Sequence, residues 1–224
     1  ISVVFFQDSG LKRSQQMFSD LNKNAVKPTK SLNILYDHRD KFSRFVVDMT
    51  SNIEIFKDRV ELEKTTISNR SSNVFTLNGI SDATLHLFGI KKTRKLTPEE
   101  EQVAKEFWDL VSKYIPEWSL LMEKKITPGE MRKQFVHGNT NTLNALGIVG
   151  RILIRDYPED WKEKLKGLRN VNWSRENTEW EGRLLLKGRM LKNALGVELA
   201  ANTILQKCGI ELSEDRQKHE SKNA

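Results

Sequence analysis

The chain has 224 residues, 38% of them hydrophobic and 30% charged, which excludes both a disordered polymer and a membrane-embedded protein. No run reaches the roughly 20 apolar residues of a bilayer span, and the start, ISVVFFQDSG, lacks the basic flank and small-residue cleavage site of a signal peptide. The single cysteine, Cys208, rules out an intrachain disulfide framework and suits a reducing cytoplasm, and the formal net charge of +7 favours polyanionic partners.

Val3 to Phe6 form a continuous apolar run, the pattern of a strand covered on both faces. Because the sequence opens inside that run and without Met, it is expected to be cut within a domain. Leu11 to Asn22 read as an amphipathic helix, with Leu11, Gln15, Met17, Phe18 and Leu21 inward and Lys12, Arg13 and Asp20 outward. Lys27-Pro28-Thr29-Lys30 ends it, since proline disfavours a helical residue before it. Helices follow over Leu32–Asp37 and Lys41–Asn52, the second with Phe42, Phe45, Val46, Met49 and Ile53 at helical spacing. Residues 60–77, rich in Thr, Ser and Val, predict a hairpin or paired strands. Ser81 is the expected N-cap of a short helix that Gly89 stops. The basic run Lys91 to Lys95 is the expected domain boundary.

From Thr97 onward the pattern is helical. Thr97-Pro98-Glu99-Glu100 and Thr127-Pro128-Gly129-Glu130 both carry a capping threonine, a first-turn proline and a capping-box glutamate. Phe107, Leu110, Val111 and Tyr114 supply the buried stripe of the first of these helices. Thr142–Tyr157 predicts another helix, Asp160–Leu168 a short one, and Asn172-Trp173-Ser174-Arg175 an irregular piece reaching Trp180. Two last helices are expected over Leu184–Leu195 and Leu199–Cys208, before a charged, frayed tail beyond Ser213.

Catalytic constellations are not found. His38, His86, His137 and His219 are scattered without metal-ligand spacing, and neither a phosphate loop nor a nucleophile elbow is present. His86 reads as a core or interface histidine and His137-Gly138 as a helix end. No reaction, metal or cofactor is expected. Positive charge is gathered in blocks: 16 Lys/Arg against 10 Asp/Glu over residues 1–96, and 5 against 1 over residues 182–207. In the first block Arg13, Gln16, Asn22, Lys23, Asn24, Lys27, Lys30 and Arg39 lie on a helix and the turn after it. There lysines would neutralise phosphate and amides would orient it; the alternative is a solvated turn of capping side chains. In the second block Arg183, Arg189 and Lys192 sit among apolar helical positions, either as a groove-facing basic helix or as a snorkelling surface. The helix-turn-helix spacing is poor. Trp108, Trp118 and Trp161 read as core anchors. Trp173 and Trp180 are expected in the core rather than stacked on bases.

The run QQMFSDLNKNAVKPTKSLNILYDHRD (Gln15–Asp40) resembles the corresponding block of the DndB family. LEKTTISNRSSNVFTLNGISDATLHLFG, NWSRENTEWEGRLLLKGRM and LAANTILQKCGIELS are similar to later blocks in the same order. The resemblance implies a DGQHR-group protein whose defining motif would lie before Ile1, and an α+β fold. That fold is a truncated ParB/sulfiredoxin-like domain over residues 1–95, then an all-helical domain over 96–212 and a charged tail over 213–224. It further implies a cytoplasmic, DNA-binding transcriptional regulator of a phosphorothioation system, not its sulfur-transfer catalyst. Its expected partners are double-stranded DNA at its own promoter and other phosphorothioation proteins, with homo-oligomerisation open. A ParB-like nucleotide switch and a protein-interaction scaffold are the alternatives.

Overall fold

The computed structural model describes residues 11–23, 27–68, 70–91 and 93–221. The expected opening strand lies outside these residues. In chain order the elements are α1 (Leu11–Lys23), α2 (Lys30–Tyr36), α3 (Lys41–Asn52), β1 (Val60–Glu61), β2 (Phe75–Thr76), α4 (Leu77–Phe88), α5 (Pro98–Tyr114), α6 (Pro116–Met122), α7 (Pro128–Gln134), α8 (Thr140–Asp156), α9 (Trp161–Leu165), β3 (Leu185–Leu186), β4 (Arg189–Met190), α10 (Ala194–Lys207) and α11 (Glu214–Ser221). The architecture is mixed but dominated by helices. Among the described residues, no helix is long and apolar enough to cross a membrane.

Side-chain caps decide where most of these helices begin. Asp40 accepts from the N–H groups of Phe42 and Ser43 to open α3, and Thr97 with Glu100 and Thr127 with Glu130 form the two predicted capping boxes. Such a cap contributes roughly 1 kcal/mol, enough to set a boundary that hydrophobic pattern leaves blurred. Thr76, not Ser81, caps α4 by accepting from Gly79 N–H. The helix therefore starts five residues earlier than expected and Ser81 is buried inside it. Gly89 ends α4 in the left-handed conformation, as predicted.

The helical centre is the pairing of α4 with α8; α10 also packs on α8, and α2 and α3 pack on α4. Gly147 permits the close α4–α8 approach. A Cβ placed there would sit 2.2 Å from the carbonyl oxygen of Ala83, and backbone cannot yield as a flexible side chain can. The buried core is continuous from Ile34 to Ile210, so the segments before and after the basic run at 91–95 share it. A line of edge-on aromatic contacts threads it, from Phe56 to Phe75 to Trp118 to His137 to Trp173.

Several expectations change. Residues 60–77 do pair, but as a parallel ladder with Val60 opposite Phe75 and Glu61 opposite Thr76, not as a hairpin. The predicted helix over Leu184–Leu195 is instead an antiparallel hairpin, Leu185 opposite Met190 and Leu186 opposite Arg189. Lys187 and Gly188 both adopt positive φ, 50° and 73°, the mirror-image turn whose twist suits a two-residue hairpin. The expected all-helical second domain thus contains strands, and its last long helix starts at Ala194. The described part of the tail beyond Ser213 is not frayed but forms α11. On α1, Phe18 is 71% exposed although its spacing placed it inward, since no described element packs extensively on that helix.

Candidate functional site

A concavity of about 680 Å³ is lined by residues from several separate stretches, among them Thr65–Ile67, Thr76 and Asn78, residues between Gly138 and Asn144, and residues between Lys192 and Glu198. Three helices begin at its wall. Thr76, Asn139 and Asn193 are the N-caps of α4, α8 and α10, and each accepts a backbone N–H through its side-chain oxygen. A cap satisfies only some of the orphan N–H groups of a first turn, and the aligned peptide dipoles leave about half a positive charge at each such end. Three ends sharing one cleft favour an anion there.

Amides dominate the rest of the lining: Asn78, Asn139, Asn141, Asn144 and Asn193. Asn141 is spent on the Leu191 carbonyl, and Asn78 receives the Ser31 hydroxyl at 3.1 Å. The side-chain oxygen of Asn144 is buried with no hydrogen-bond partner among the described residues. Four groups bring charge or titrate: Lys192, His86, Arg132 and Glu198. Lys192 is exposed at the rim. His86 is held below its ordinary value by burial, which outweighs the upward pull of Asp82 and Glu198 and adds to the downward push of Arg151. Arg132 donates to the Ser68, Ser71 and Asn73 carbonyls and so ties those residues to α7.

The sequence-predicted contacts distribute unevenly around this cleft. Lys30 opens α2 and pairs with Asp82 of α4 at 2.5 Å, and its neighbour Ser31 bonds both Asn78 and the Lys64 carbonyl. The end of the first basic block is therefore fastened beside one wall, while Lys192 of the second block stands on another. Arg189 is exposed on the β3–β4 hairpin. Arg183 turns elsewhere: its guanidinium grips Glu220 of α11 at 2.6 and 2.8 Å and the Leu199 carbonyl at 3.0 Å. Lys27 and Arg39 are exposed, Arg39 in the turn before α3. Arg13 and Gln16 lie on the exposed side of α1, Gln16 bonded to Asp20 of the same helix. Asn24 falls outside the described residues, as do the side chains of Asn22 and Lys23.

Sequence reading missed the capping amides Asn139 and Asn193 and the Thr65–Ile67 loop. The signal was there in GNTNTLN (Gly138–Asn144), an amide-rich run directly before an apolar helical pattern. Trp173 and Trp180 are fully buried and stacked on each other, centroids 5.8 Å apart, with indole N–H groups donating to the Leu168 and Asn172 carbonyls. They are core, as expected. Cys208 is buried, and desolvation pushes its thiol up to about 12, which leaves it a packing residue.

Fold and cleft together define a mostly helical protein whose polar centre is made of helix starts and amides. The family model of DNA-sulfur modification-associated proteins, DndB, matches residues 1–211, and the chain belongs to that family. Its place is thus in DNA sulfur modification. No curated protein and no solved structure matched the chain.

Proposed function

We propose that this protein is a DNA-binding regulator of phosphorothioation that holds duplex DNA through phosphate contacts in and around the helix-start cleft. One observation carries the step from family to DNA contact: the positive ends of α4, α8 and α10 meet in a single cleft with Lys192 on its rim. Backbone N–H groups and helix dipoles hold phosphate and set register, as positioning contacts do, without reading bases. Lys30 with Lys27 on one side, and Lys192 with Arg189 on the other, extend the favourable potential to a length of backbone. The family resemblance extends the reading to a cytoplasmic transcriptional role at the operon's own promoter, and to a ParB/sulfiredoxin-like character for the region up to residue 95.

The test is duplex binding followed by fluorescence anisotropy on an end-labelled fragment from upstream of the operon. If about three phosphates are neutralised, affinity should fall roughly fortyfold between about 50 and 200 mM salt. Lys192→Glu should weaken binding at least about fivefold at low salt and flatten that salt dependence. Unchanged affinity in the variant, or binding indifferent to salt, would remove the cleft from the DNA interface.

A further inference from the structure

An anion entering the cleft meets one adverse charge, because Glu198 of α10 is the sole carboxylate among the described residues lining it. That carboxylate is answered from the far end of the chain. Arg216 of α11 places Nη2 3.0 Å from Glu198 Oε2, and its Nη1 donates to Asn202 Oδ1. Asn202 in turn donates to Glu220 Oε1 at 2.8 Å, and Glu220 takes both terminal nitrogens of Arg183. Guanidinium and carboxylate therefore alternate from the start of the hairpin segment, across α11, to the cleft wall. Nothing apolar competes with this network in docking the last helix, since none of the α11 residues is buried.

We propose that Arg216 is a positioning residue that sets the charge of the cleft by neutralising Glu198, which makes docking of α11 a control on anion acceptance. The proposal rests on the anion-receptive reading of the cleft. Charge-assisted hydrogen bonds between half-buried groups are strong enough to hold a short polar helix. They are also open to competition by salt or by another anion, as apolar burial is not. With α11 docked, three helix starts and Lys192 face a cleft whose carboxylate is matched. With α11 released, Glu198 faces the same space unmatched and repels phosphate.

His86 offers a readout inside the cleft that needs no DNA. Asp82 and Glu198 pull its titration upward, against burial and Arg151. Followed by NMR in the full chain, the His86 titration should move up in Arg216→Ala, where Glu198 loses its partner, and down in Glu198→Gln. The double variant should match Glu198→Gln alone. A His86 that ignores Arg216→Ala, or responds to it equally when Glu198 is already Gln, overturns the proposal. In duplex binding at low salt, Arg216→Ala should cost about fourfold, the effect of one extra charge roughly 10 Å from a phosphate at a half-screened surface. Glu198→Gln should restore that loss. A loss that Glu198→Gln fails to restore marks Arg216 as a brace of the fold and also overturns the proposal. Should His86 respond as stated while no form of the protein binds duplex, the charge control stands and the DNA reading of the cleft falls. Thermal melts check that the core survives, as expected for a helix none of whose residues is fully buried.

Discussion

Trp118 donates its indole N–H to Nδ1 of His137 at 3.0 Å, so the neutral imidazole carries its proton on Nε2, which faces Glu117 Oε2 at 3.4 Å. Phe135 stacks on the ring and Trp173 meets its edge, so no water reaches it. Burial holds His137 below the ordinary histidine value of 6.5, outweighing the upward pull of Glu117. The unfolded chain therefore takes up a proton near pH 6.5 that the folded chain refuses until lower pH. Stability is fully present above that value and lost as pH falls below it, by up to about 1.4 kcal/mol per pH unit while the mismatch lasts. Urea denaturation at pH 7.5, 6.5 and 5.5 should show this decline. His137→Gln keeps an acceptor for Trp118 and should flatten most of it, leaving a smaller part from His86, whose shift has the same sign. Cys208 gives a second residue-scale expectation. With its thiol pushed up to about 12 and its surface covered, it should resist a thiol-reactive dye in the native protein and label at once in denaturant. Rapid native labelling would mean that the end of α10 opens readily.

Two glycines separate steric from conformational demands at the level of elements. Gly147→Ala drives a methyl into the Ala83 backbone and must part α4 from α8, costing about 2–3 kcal/mol in chemical denaturation. Gly188→Ala meets nothing within 4 Å but must hold φ near 73°, and should cost only about 1 kcal/mol. Equal costs would mean that the α4–α8 approach is looser than the geometry implies. The same contrast explains what the sequence made legible. Thr97-Pro98-Glu99-Glu100 and Thr127-Pro128-Gly129-Glu130 carry their caps within four residues, so α5 and α7 are readable locally. So are α3 and most of α8, whose apolar spacing is strong. The hairpin was misread because Leu184-Leu185-Leu186 fits a helix or a strand equally well. The deciding feature, a left-handed Lys187-Gly188 pair, is a turn signal only if Lys187 also accepts positive φ. α4 was read too short because Thr76 caps it from what looks like the end of a strand.

At the scale of the molecule the core was easier to foresee than the cleft. Aromatic and aliphatic residues at helical spacing announce burial wherever they fall, and Trp108, Trp118, Trp161, Trp173 and Trp180 all went where their flanks suggested. The cleft depends instead on which helix starts meet, a matter of tertiary arrangement. Residues 76, 139 and 193 are far apart in sequence, and each by itself is an ordinary capping side chain. Lys30 and Lys192 were foreseen as cations, but their placement around one cavity was not. Arg183 was foreseen as a phosphate contact, whereas its local neighbours gave no hint of Glu220 waiting 37 residues later.

The enclosed indoles have a practical consequence. With Trp108, Trp118, Trp173 and Trp180 fully shielded and Trp161 nearly so, the native emission should be blue-shifted and scarcely touched by iodide. Adding duplex should leave it almost as it was, since no ring is placed to report a ligand on the surface. A strong quench on titration would signal that the stacked pair had come apart, and with it the packing beneath the hairpin.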